Sequence, residues 1–457
     1  MKPVYIVSWL FALAISFVSC DDWLDKTPKD RLYPDVYFKT EDELRLFTNQ
    51  FYNNLVPSAV DIYSESSDLI VKSDLMLEMS GQRIIPDEGN GWNFTALRDI
   101  NFYLQYSHNC TEVNARNRYD GVARFFRAYF YFEKVKRYGD IPWYDKALDS
   151  DDPELYKARD SREFVMQKML EDLDFAIANL PKTKNAYVLT RWTALALKSR
   201  VCLFEGTFRK YHGLEDYEKY LNACVSASET FMNESGYTLY KSGSTPYRDL
   251  FASINLQADE VIFGRDYEAS LSVLHNVQNY ENSTTMGRPG MNKKIVNSYL
   301  MADGSRFTDK AGYETMTFDQ ECQNRDPRLA QTIRTPGYTR IGSTKKEAPN
   351  LAYTMTGYHL VKYSMTANYD EYNKSCNDIP LFRTAEVYLN FAEAKAELGT
   401  LKQADINKSI KLLRDRVGMT NLDMELANSK PDPYLISAAT GYPNVKGANP
   451  VSYTHLT

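Results

Sequence analysis

One short segment combines a tryptophan with glycines and polar side chains. Residues 87–93 read DEGNGWN, which places Trp92 on a glycine-rich loop just before a helix that should begin near Thr95. A flat aromatic ring can stack on the apolar C–H face of a pyranose, whose hydroxyls both donate and accept hydrogen bonds. The loop therefore predicts either a stacking platform for a sugar or an aromatic anchor that folds the loop onto a scaffold.

Three polar residues near this tryptophan have types suited to a sugar hydroxyl. Asn93 could bind a hydroxyl, although capping the next helix is the more economical role for it. Arg83 and Asp74 could face the same cleft, and the alternative for both is ordinary solvated surface charge. We treat these three residues and Trp92 as one candidate ligand-binding group.

Two further clusters pair tyrosines with amide or carboxylate side chains. They are Tyr280 with Asn279 and Asn282, and Tyr369 and Tyr372 with Asn368 and Asp370. A tyrosine ring offers an apolar face and a hydroxyl that needs a partner, so each ring could contact a ligand or pack into the fold. All three tyrosines are candidate ligand contacts.

The sequence contains no recognisable catalytic or metal-binding constellation. Its 5 histidines are dispersed without HExxH or other ligand spacing, and no G-x-S-x-G, P-loop or G-x-G-x-x-G pattern occurs. Acidic residues are so numerous that no carboxylate pair stands out as a glycosidase dyad. Glu386 and Glu393 are predicted to lie on a helical scaffold near Arg383, because buried carboxylates need cationic partners. We predict no catalytic residue, no metal and no cofactor.

The composition is that of a globular protein with an unusual share of aromatic residues. The 457 residues include 54 Lys and Arg against 60 Asp and Glu, for a net charge of −6. Hydrophobic residues make up 43% of the chain, which excludes disorder and collagen-like structure. The acidic balance, without a cationic block, argues against a nucleic-acid partner. With 34 Tyr, 22 Phe and 5 Trp, the chain has more tyrosine than a core needs, which favours aromatic contact surfaces.

The first residues have the pattern of an export signal. Lys2 precedes an apolar run, residues 4–18, that is too short to span a membrane comfortably. Residues 1–19 are therefore predicted to be a signal peptide. The segment resembles a bacterial lipoprotein signal, with Phe17 where leucine is more usual, so that Cys20 would carry a lipid; a plain signal peptide is the alternative. Such a lipid would anchor a soluble domain to a membrane.

The other cysteines do not form a metal or redox motif. Cys110, Cys202, Cys224, Cys322 and Cys376 include no C-x-x-C pair. Buried free thiols are the simplest interpretation. A disulfide between Cys202 and Cys224, on neighbouring helices, is the alternative.

Helical periodicity predicts most of the scaffold. Thr40 and Glu43 form a capping box, and Thr190 opens a later helix. Asp160 and Glu163 are predicted to cap a helix that Pro181 ends. The other predicted helices are a long one through 122–129 that Gly139 ends, one over 215–233, one over 385–396 and one over 406–417.

Paired helices and a long irregular region define the expected architecture. The set between 160 and 233 and the last two helices resemble helix–turn–helix units of about 34 residues that stack as tetratricopeptide repeats do. Trp143 and Trp192 lie in helical motifs and are assigned to the core. Between 237 and 383 the helical signal breaks up, apart from a short strand at 260–264. Long loops of this kind are usually functional.

Several segments, in order along the chain, resemble the SusD/RagB family of Bacteroidetes. They are CDDWLD at 20–25 with Pro28, RAYFYF at 127–132, YGDIP at 138–142, TALALKSR at 193–200, RDPRL at 325–329, IPLFRTAEVYLNFAEA at 379–394 and the segment 407–418. Each motif alone is weak, but their order and spacing are specific. The resemblance implies a mainly α fold: a tetratricopeptide-like scaffold of helical pairs with long irregular loops and a few short strands.

The resemblance also implies a function and a location. Members of the family are lipoproteins of the outer membrane that capture a polysaccharide, deliver it to a TonB-dependent, SusC-like transporter and are not enzymes. The acidic residues after Cys20 resemble the signal that exports such lipoproteins to the cell exterior. A peptide-capturing, RagB-like protein is one alternative, and a glycoside hydrolase is a less favoured one.

The family pattern divides the chain into segments. We predict a domain over 20–448, with an N-terminal part to about 235, a loop-rich ligand-binding part over 236–380 and a C-terminal helical pair over 381–420. Family members continue past the position of 441–445 into a further helix, whereas 449–457 match nothing expected. The sequence is therefore expected to be truncated at its C-terminus.

Overall fold

A computed structural model describes residues 37–63, 67, 69–86, 89 and 91–437. Its long helices form the scaffold and supply most of the core. Those of twelve residues or more in the described part are α1 Glu41–Leu55, α2 Thr95–Tyr106, α3 Val113–Tyr138, α4 Arg162–Asn179, α5 Arg191–His212, α6 Tyr217–Glu234 and α7 Thr384–Glu397. The predicted signal peptide, Cys20 and residues 449–457 lie outside the described residues.

Neighbouring long helices pack in pairs. Helix α3 packs on α4, α4 on α5 and α5 on α6, while α7 covers both α5 and α6. Helix α1 packs on α2 and α3 at the other end. The expectation of a mainly α scaffold of helical pairs is confirmed.

Local sequence signals explain where these helices begin. As predicted, Thr40 and Glu43 form a reciprocal capping box on α1, and Thr190 opens α5. The structure adds that Thr190 forms its own capping box with Thr193. The prediction for α4 is wrong by one residue. Ser161 caps that helix, because its side chain accepts from the Phe164 amide, while Asp160 accepts from the Trp143 amide at 2.7 Å.

A glycine allows the closest helix pair to approach. Gly206 lies inside α5, and a Cβ built on it would lie 2.7 Å from Cγ of Leu221 on α6. Cys202 and Cys224 are buried at the same interface, and both are free thiols. The disulfide alternative is therefore wrong, and the two cysteines pack as small apolar side chains.

The C-terminal helical pair is less regular than predicted. Helix α7 fits the predicted stripe and ends before Gly399. The expected helix over 406–417 is divided into Gln403–Asn407 and Ile410–Arg416, because Ser409 leaves the helical region with φ −134° and ψ −88°.

The remaining elements are short and belong mostly to the loop-rich region. Strand β1 (Ile70–Val71) pairs antiparallel with β3 (Gly290–Met291), and β2 (Val261–Arg265) pairs antiparallel with β4 (Ile379–Arg383). Strand β2 matches the predicted strand within one residue. The short helices are Val60–Tyr63, Leu77–Ser80, Pro246–Ala252, Val277–Asn282, Lys293–Ser298, Phe318–Glu321, Pro327–Ala330, Met424–Ser429 and Pro433–Ile436.

One large core lies between the N-terminal helices and is rich in aromatic rings. Phe51 and Phe126 meet edge to face with centroids 6.1 Å apart, and Tyr103 packs against Phe51 at 6.2 Å. Edge-to-face contacts of this kind add about 0.5–1.5 kcal/mol each beyond area burial. Trp143 and Trp192 are 5% and 3% exposed, which confirms their assignment to the core.

Candidate functional site

The loop that carries Trp92 is held in place by glycine turns and a lysine. Gly89 and Gly91 have φ of +75° and +86°, which side-chain-bearing residues rarely adopt. The Gly89 carbonyl accepts from the Trp92 amide at 3.0 Å, and Lys134 of α3 donates to the Gly91 carbonyl. The position of the ring is thus set by the end of helix α3.

Trp92 is both anchored and exposed. Its ring meets Tyr138 and Phe94 edge to face, with centroids 4.9 Å and 5.3 Å apart. The Arg159 guanidinium lies 4.8 Å from the ring centroid. The side chain is nevertheless 39% exposed. The ring is therefore anchored, as one of the two expected roles requires, and it still reaches the surface.

Trp92 borders a cavity of about 310 Å³ on the outside of α2. The lining is largely aromatic and aliphatic, and it also includes two cations and three residues with an amide or hydroxyl group. The lining residues are Trp92, Phe94, Thr95, Leu97, Arg98, Asn101, Tyr144, Lys146, Leu148 and Leu155. A cavity with apolar walls and a few polar groups at its rim is typical of small-molecule sites.

Buried hydrogen bonds fix the floor of this cavity. Asn101 donates to the Tyr144 carbonyl at 2.8 Å and accepts from Arg127 at 3.2 Å. Arg127 in turn donates to both oxygens of Asp172, at 2.6 and 2.7 Å. Burial opposes the charge of Arg127, but the bond to Asp172 prevails and raises the pKa of Arg127. The floor is rigid because every partner is itself packed.

The cations at this site differ in their surroundings. Lys146 pairs with Glu154 at 2.8 Å, and Arg98 reaches Asp149 only at 3.9 Å. Burial, followed by repulsion from Arg137, lowers the pKa of Lys134. Arg98 and Lys146 line the cavity and carry donors for hydroxyl or carboxylate oxygens, whereas Lys134 holds the Gly91 carbonyl.

The other members of the first candidate group do not line this cavity. Asn93 accepts from the Thr95 amide at 2.8 Å in an Asx turn just before α2. The capping role expected for it is not formed, because Phe94 occupies the N-cap position and the helix has no side-chain cap. Asp74 and Arg83 are exposed on the segment that includes β1. That segment runs beside β3, since the Ser73 amide donates to the Gly287 carbonyl at 2.8 Å.

The structure joins the second and third clusters into one. Asn279 donates to the Asp370 carbonyl at 2.8 Å, and Gln278 donates to the Asp370 carboxylate at 2.7 Å. Arg340 reaches the same carboxylate at 2.8 Å. This network fixes the turn Ala367–Tyr369 against the short helix Val277–Asn282.

The three tyrosines of these clusters differ in their access to solvent. Tyr280 is only 2% exposed and offers no stacking face at the surface, whereas Tyr372 is 72% exposed. Tyr369 is half-buried, and burial followed by the neighbouring Cys376 raises its pKa. Of the three, Tyr372 is the accessible ring, and it does not line the cavity beside Trp92.

Sequence reasoning missed most of the cavity wall. Three of the missed residues, Phe94, Arg98 and Asn101, are spaced by four and three positions and so share one face of the chain around α2. This spacing, close after Trp92, is a sequence signal from which they could have been predicted. Tyr144 and Lys146 follow α3 in a loop, and only the tertiary contact with Asn101 brings them to this cavity.

The carboxylates assigned to the scaffold lie there, with different partners from those expected. Glu386 pairs with Arg200 at 2.5 Å, and Arg383 pairs with Glu260 at 3.0 Å. Burial raises the pKa of Glu393 to about 7. Within the described ranges no group of three or more His, Cys, Asp or Glu is placed to hold a metal ion.

Two family models match most of this architecture. One is described as the SusD family and matches residues 250–443; the other is described as starch-binding associating with outer membrane and matches residues 82–191. The second match covers the Trp92 loop, α2 and α3. Together these two matches support assignment of the chain to the SusD/RagB-like family.

Curated relatives of this SusD-like chain match along nearly its whole length. SusD-like protein P2 of Formosa agariphila is 25% identical over 445 residues, covering 91% of this chain and 82% of the relative. SusD-like protein P38 of the same organism is 23% identical over 450 residues, covering 88% and 81%.

Solved structures share the fold of this SusD-like chain. A SusD-like protein from Bacteroides fragilis superposes with a TM-score of 0.68 at 21% identity, covering 89% of this chain and 83% of that protein. A SusD-like carbohydrate binding protein from the same species gives 0.69 at 18% identity, covering 84% and 80%. No helix in the described part of the chain is both long and apolar enough to cross a bilayer.

Proposed function

We propose that this SusD-like protein binds a carbohydrate at the outer membrane, captures it as an oligo- or polysaccharide and delivers it to a TonB-dependent, SusC-like transporter. The observation that carries the proposal is the partly exposed Trp92 ring at the rim of an apolar cavity with polar groups at its edge. Aromatic rings beside hydrogen-bond donors match the apolar face and the hydroxyls of a pyranose.

The proposed role is binding and not turnover. Stacking contacts of about 0.5–1.5 kcal/mol each give modest affinity, and several must act together to hold a glycan. The family match supports a binding protein, because the matching model is described as starch-binding. No proton has to move for this role, so it requires no perturbed acid at the cavity.

The family match and the N-terminal segment both support the proposed location. The matching family model is described as associating with outer membrane, which supports a place at that membrane. A lipid on Cys20 would supply the anchor and hold the binding surface at the cell exterior. Metabolic labelling with an alkyne fatty acid tests this, since Cys20→Ala should abolish labelling and release the protein from the membrane.

A binding assay tests the proposed ligand class. Affinity electrophoresis through gels that contain single neutral or acidic polysaccharides should retard the purified protein on at least one of them. Trp92→Ala should weaken binding and raise the apparent dissociation constant at least tenfold. We expect an effect of this size because several contacts to the glycan depend on this one ring. Retardation by none of a broad panel would contradict the proposal.

Phe164→Ala is a matched control for this assay. Phe164 is 41% exposed, close to the 39% of Trp92, and it lies on α4 away from the cavity. The control variant should bind like the unmodified protein. Tyr372→Ala, tested beside it, reports whether the second aromatic cluster contributes to the same glycan. Equal binding by the Trp92 and Phe164 variants would remove Trp92 from the site.

Delivery to a transporter has a separate test. The full chain, expressed with a TonB-dependent, SusC-like transporter from the same organism, should co-purify with that transporter from outer-membrane extracts. Cells that retain both should import the bound oligosaccharide, and deletion of this chain should lower uptake at limiting concentration. Uptake that does not depend on this chain would contradict the delivery role while leaving glycan binding intact.

A further inference from the structure

A second cavity, distinct from the one at Trp92, lies where the loop-rich region meets α7. It has a volume of about 190 Å³, and we call it the arginine cavity. Its lining residues are Tyr247, Ile295, Ser298, Tyr299, Leu300, Asp326, Arg328, Arg383, Ala385, Leu389, Leu413 and Arg416. None of these residues lines the cavity beside Trp92.

Positive charge exceeds negative charge at this cavity. Arg328 is paired with Asp326 at 2.6 Å. Arg383 and Arg416 share a single carboxylate, that of Glu260, at 3.0 and 2.8 Å. Three arginines therefore meet two carboxylates, and Glu260, which is fully buried, also accepts from the Tyr240 amide.

A lysine adds to this excess. The Nζ of Lys362 lies 5.3 Å from the ring centroid of Tyr247, and the Arg416 guanidinium lies at the same distance from it. Burial acts to raise the pKa of Tyr247, but Lys362, Arg383 and Arg328 outweigh it and lower that pKa to about 8. The hydroxyl of Tyr247 therefore lies in a buried region of positive electrostatic potential.

Arg416 has an unused donor in this positive region. Its side chain is 1% exposed, and its Nε has no hydrogen-bond partner among the described residues. A buried N–H without an acceptor is costly even on a paired guanidinium, because it has lost its bond to water without replacement. An oxyanion in the cavity would supply both the missing acceptor and the missing negative charge.

The rest of the wall specifies what should carry that oxyanion. Aliphatic surface is contributed to the same lining by Ile295, Leu300, Ala385, Leu389 and Leu413. Phosphate and sulfate are polar on all sides and would lose hydration against these side chains. A carboxylate on two or three methylenes would place its charge at the arginines and its carbons on the aliphatic wall.

We propose that the arginine cavity binds a carboxylate carried on a short aliphatic chain, from either a free dicarboxylic acid or a glutamate side chain. Arginine is suited to this role because its planar guanidinium binds both carboxylate oxygens. The site is independent of glycan binding at Trp92. It would stabilise the junction between α7 and the segments that contain Tyr299 and Asp326.

Thermal unfolding of the full chain tests the proposal. Sodium glutarate should raise the Tm in a saturable way above sodium chloride of the same ionic strength, because a ligand that binds only the folded state stabilises it. Sodium sulfate, at matched ionic strength, should give a smaller shift. No shift with glutarate beyond chloride, together with none from the peptide probe below, would overturn the proposal.

Two variants show whether the effect arises in this cavity. Arg416→Met removes the unused donor, and Ser298→Leu narrows the cavity while leaving every charge in place. Both variants should lose the glutarate-dependent rise in Tm. Arg45→Met, which changes an exposed side chain on α1, should keep it. If Arg416→Met does not fold, the serine variant still decides. A shift that persists in the variants that fold would contradict the assignment.

A peptide probe distinguishes the two sources of the carboxylate. A helical peptide of alternating alanine and glutamate pairs presents glutamate side chains on a polypeptide. Stabilisation by glutarate identifies a small acid as a sufficient ligand. Stabilisation by the peptide alone, absent in Ser298→Leu, assigns the site to a glutamate side chain of a polypeptide.

Discussion

At the scale of single residues, buried charges explain why the Trp92 cavity keeps its shape. Asn101 forms part of the cavity wall, and Arg127 and Asp172 hold it from behind. Both charged partners are buried, with side chains 8% and 2% exposed. A pair of this kind is costly to break, since removal of one partner leaves the other charged in an apolar environment.

Arg127→Met is predicted to destabilise the protein and to weaken glycan binding. The loss of the cation leaves Asp172 with only the longer contact to Arg124 at 3.6 Å, so we expect a cost of about 3 kcal/mol in the free energy of unfolding. Urea denaturation measures this cost. The double variant Arg127→Met with Asp172→Leu should recover part of the lost stability. As a control, Arg118→Met breaks the exposed pair with Glu41 and should cost less than about 1 kcal/mol. A single variant as stable as the unmodified protein would contradict the prediction.

A second buried carboxylate makes stability depend on pH. Glu281 accepts from Ser364 at 2.7 Å and from the Tyr363 amide at 3.2 Å, and burial raises its pKa from 4.5 to about 7. Between these values the folded state holds a proton that the unfolded state has lost. Its contribution to stability is therefore complete below about pH 4.5 and is lost as the pH rises through 7.

Glu281→Gln is predicted to remove this dependence. The difference in unfolding free energy between the variant and the unmodified protein should change by about 3 kcal/mol between pH 4.5 and pH 8, with the variant gaining as the pH rises. The lowered pKa values of His275 and His359 act in the opposite direction but are common to both proteins. Urea titrations at four pH values measure the difference, with Glu425→Gln on the surface as control. A constant difference would show that Glu281 is ionised in the fold.

At the scale of elements, much of the helical scaffold could be predicted from the sequence. Thr40 and Thr190 are strong caps followed by regular apolar stripes, so local signals and tertiary packing agree there. The position of Ser161 was missed because Asp160, an equally good cap type, is used by the Trp143 amide. The break at Ser409 was missed because the apolar spacing continues through it.

The candidate site was harder to predict than the scaffold. The Trp92 loop carried a signal in its glycines, but Tyr144 and Lys146 reach the cavity only through the packing of α2 on α3. The burial of Tyr280 could not be predicted from the sequence either. A tyrosine flanked by asparagines occurs both at surfaces and in polar interiors, so the local sequence does not distinguish the two. Loop positions depend on long-range contacts that periodicity does not encode.

Gly206→Ala tests the closest helix contact. Intrinsic helix propensity alone would make alanine more stable by about 1 kcal/mol. The new Cβ would lie 2.7 Å from Leu221, so the helices must separate, and we expect a net loss of about 1–3 kcal/mol in the free energy of unfolding. Gly121→Ala on α3 is the matched control, since its nearest contact is 3.3 Å from Leu180 and the change should be near zero. Equal stability of the two variants would contradict the prediction.

At the scale of the whole molecule, a helical scaffold supports the loops that form the proposed binding surface. The Trp92 loop rests on the end of α3, and its cavity is closed by the segment that follows that helix. The loop-rich half is braced by its own buried polar network around Asp370. A surface held in this way pays little ordering entropy on binding, which suits weak stacking contacts.

The most direct test of the account is the position of a bound oligosaccharide in a crystal structure of the complex, with a glycan selected by the binding panel. We predict a sugar ring stacked on Trp92, hydroxyls within hydrogen-bond distance of side chains of the cavity wall, and an unbroken glycosidic bond. A sugar bound elsewhere with Trp92 uncovered, or a cleaved product in the cavity, would contradict it.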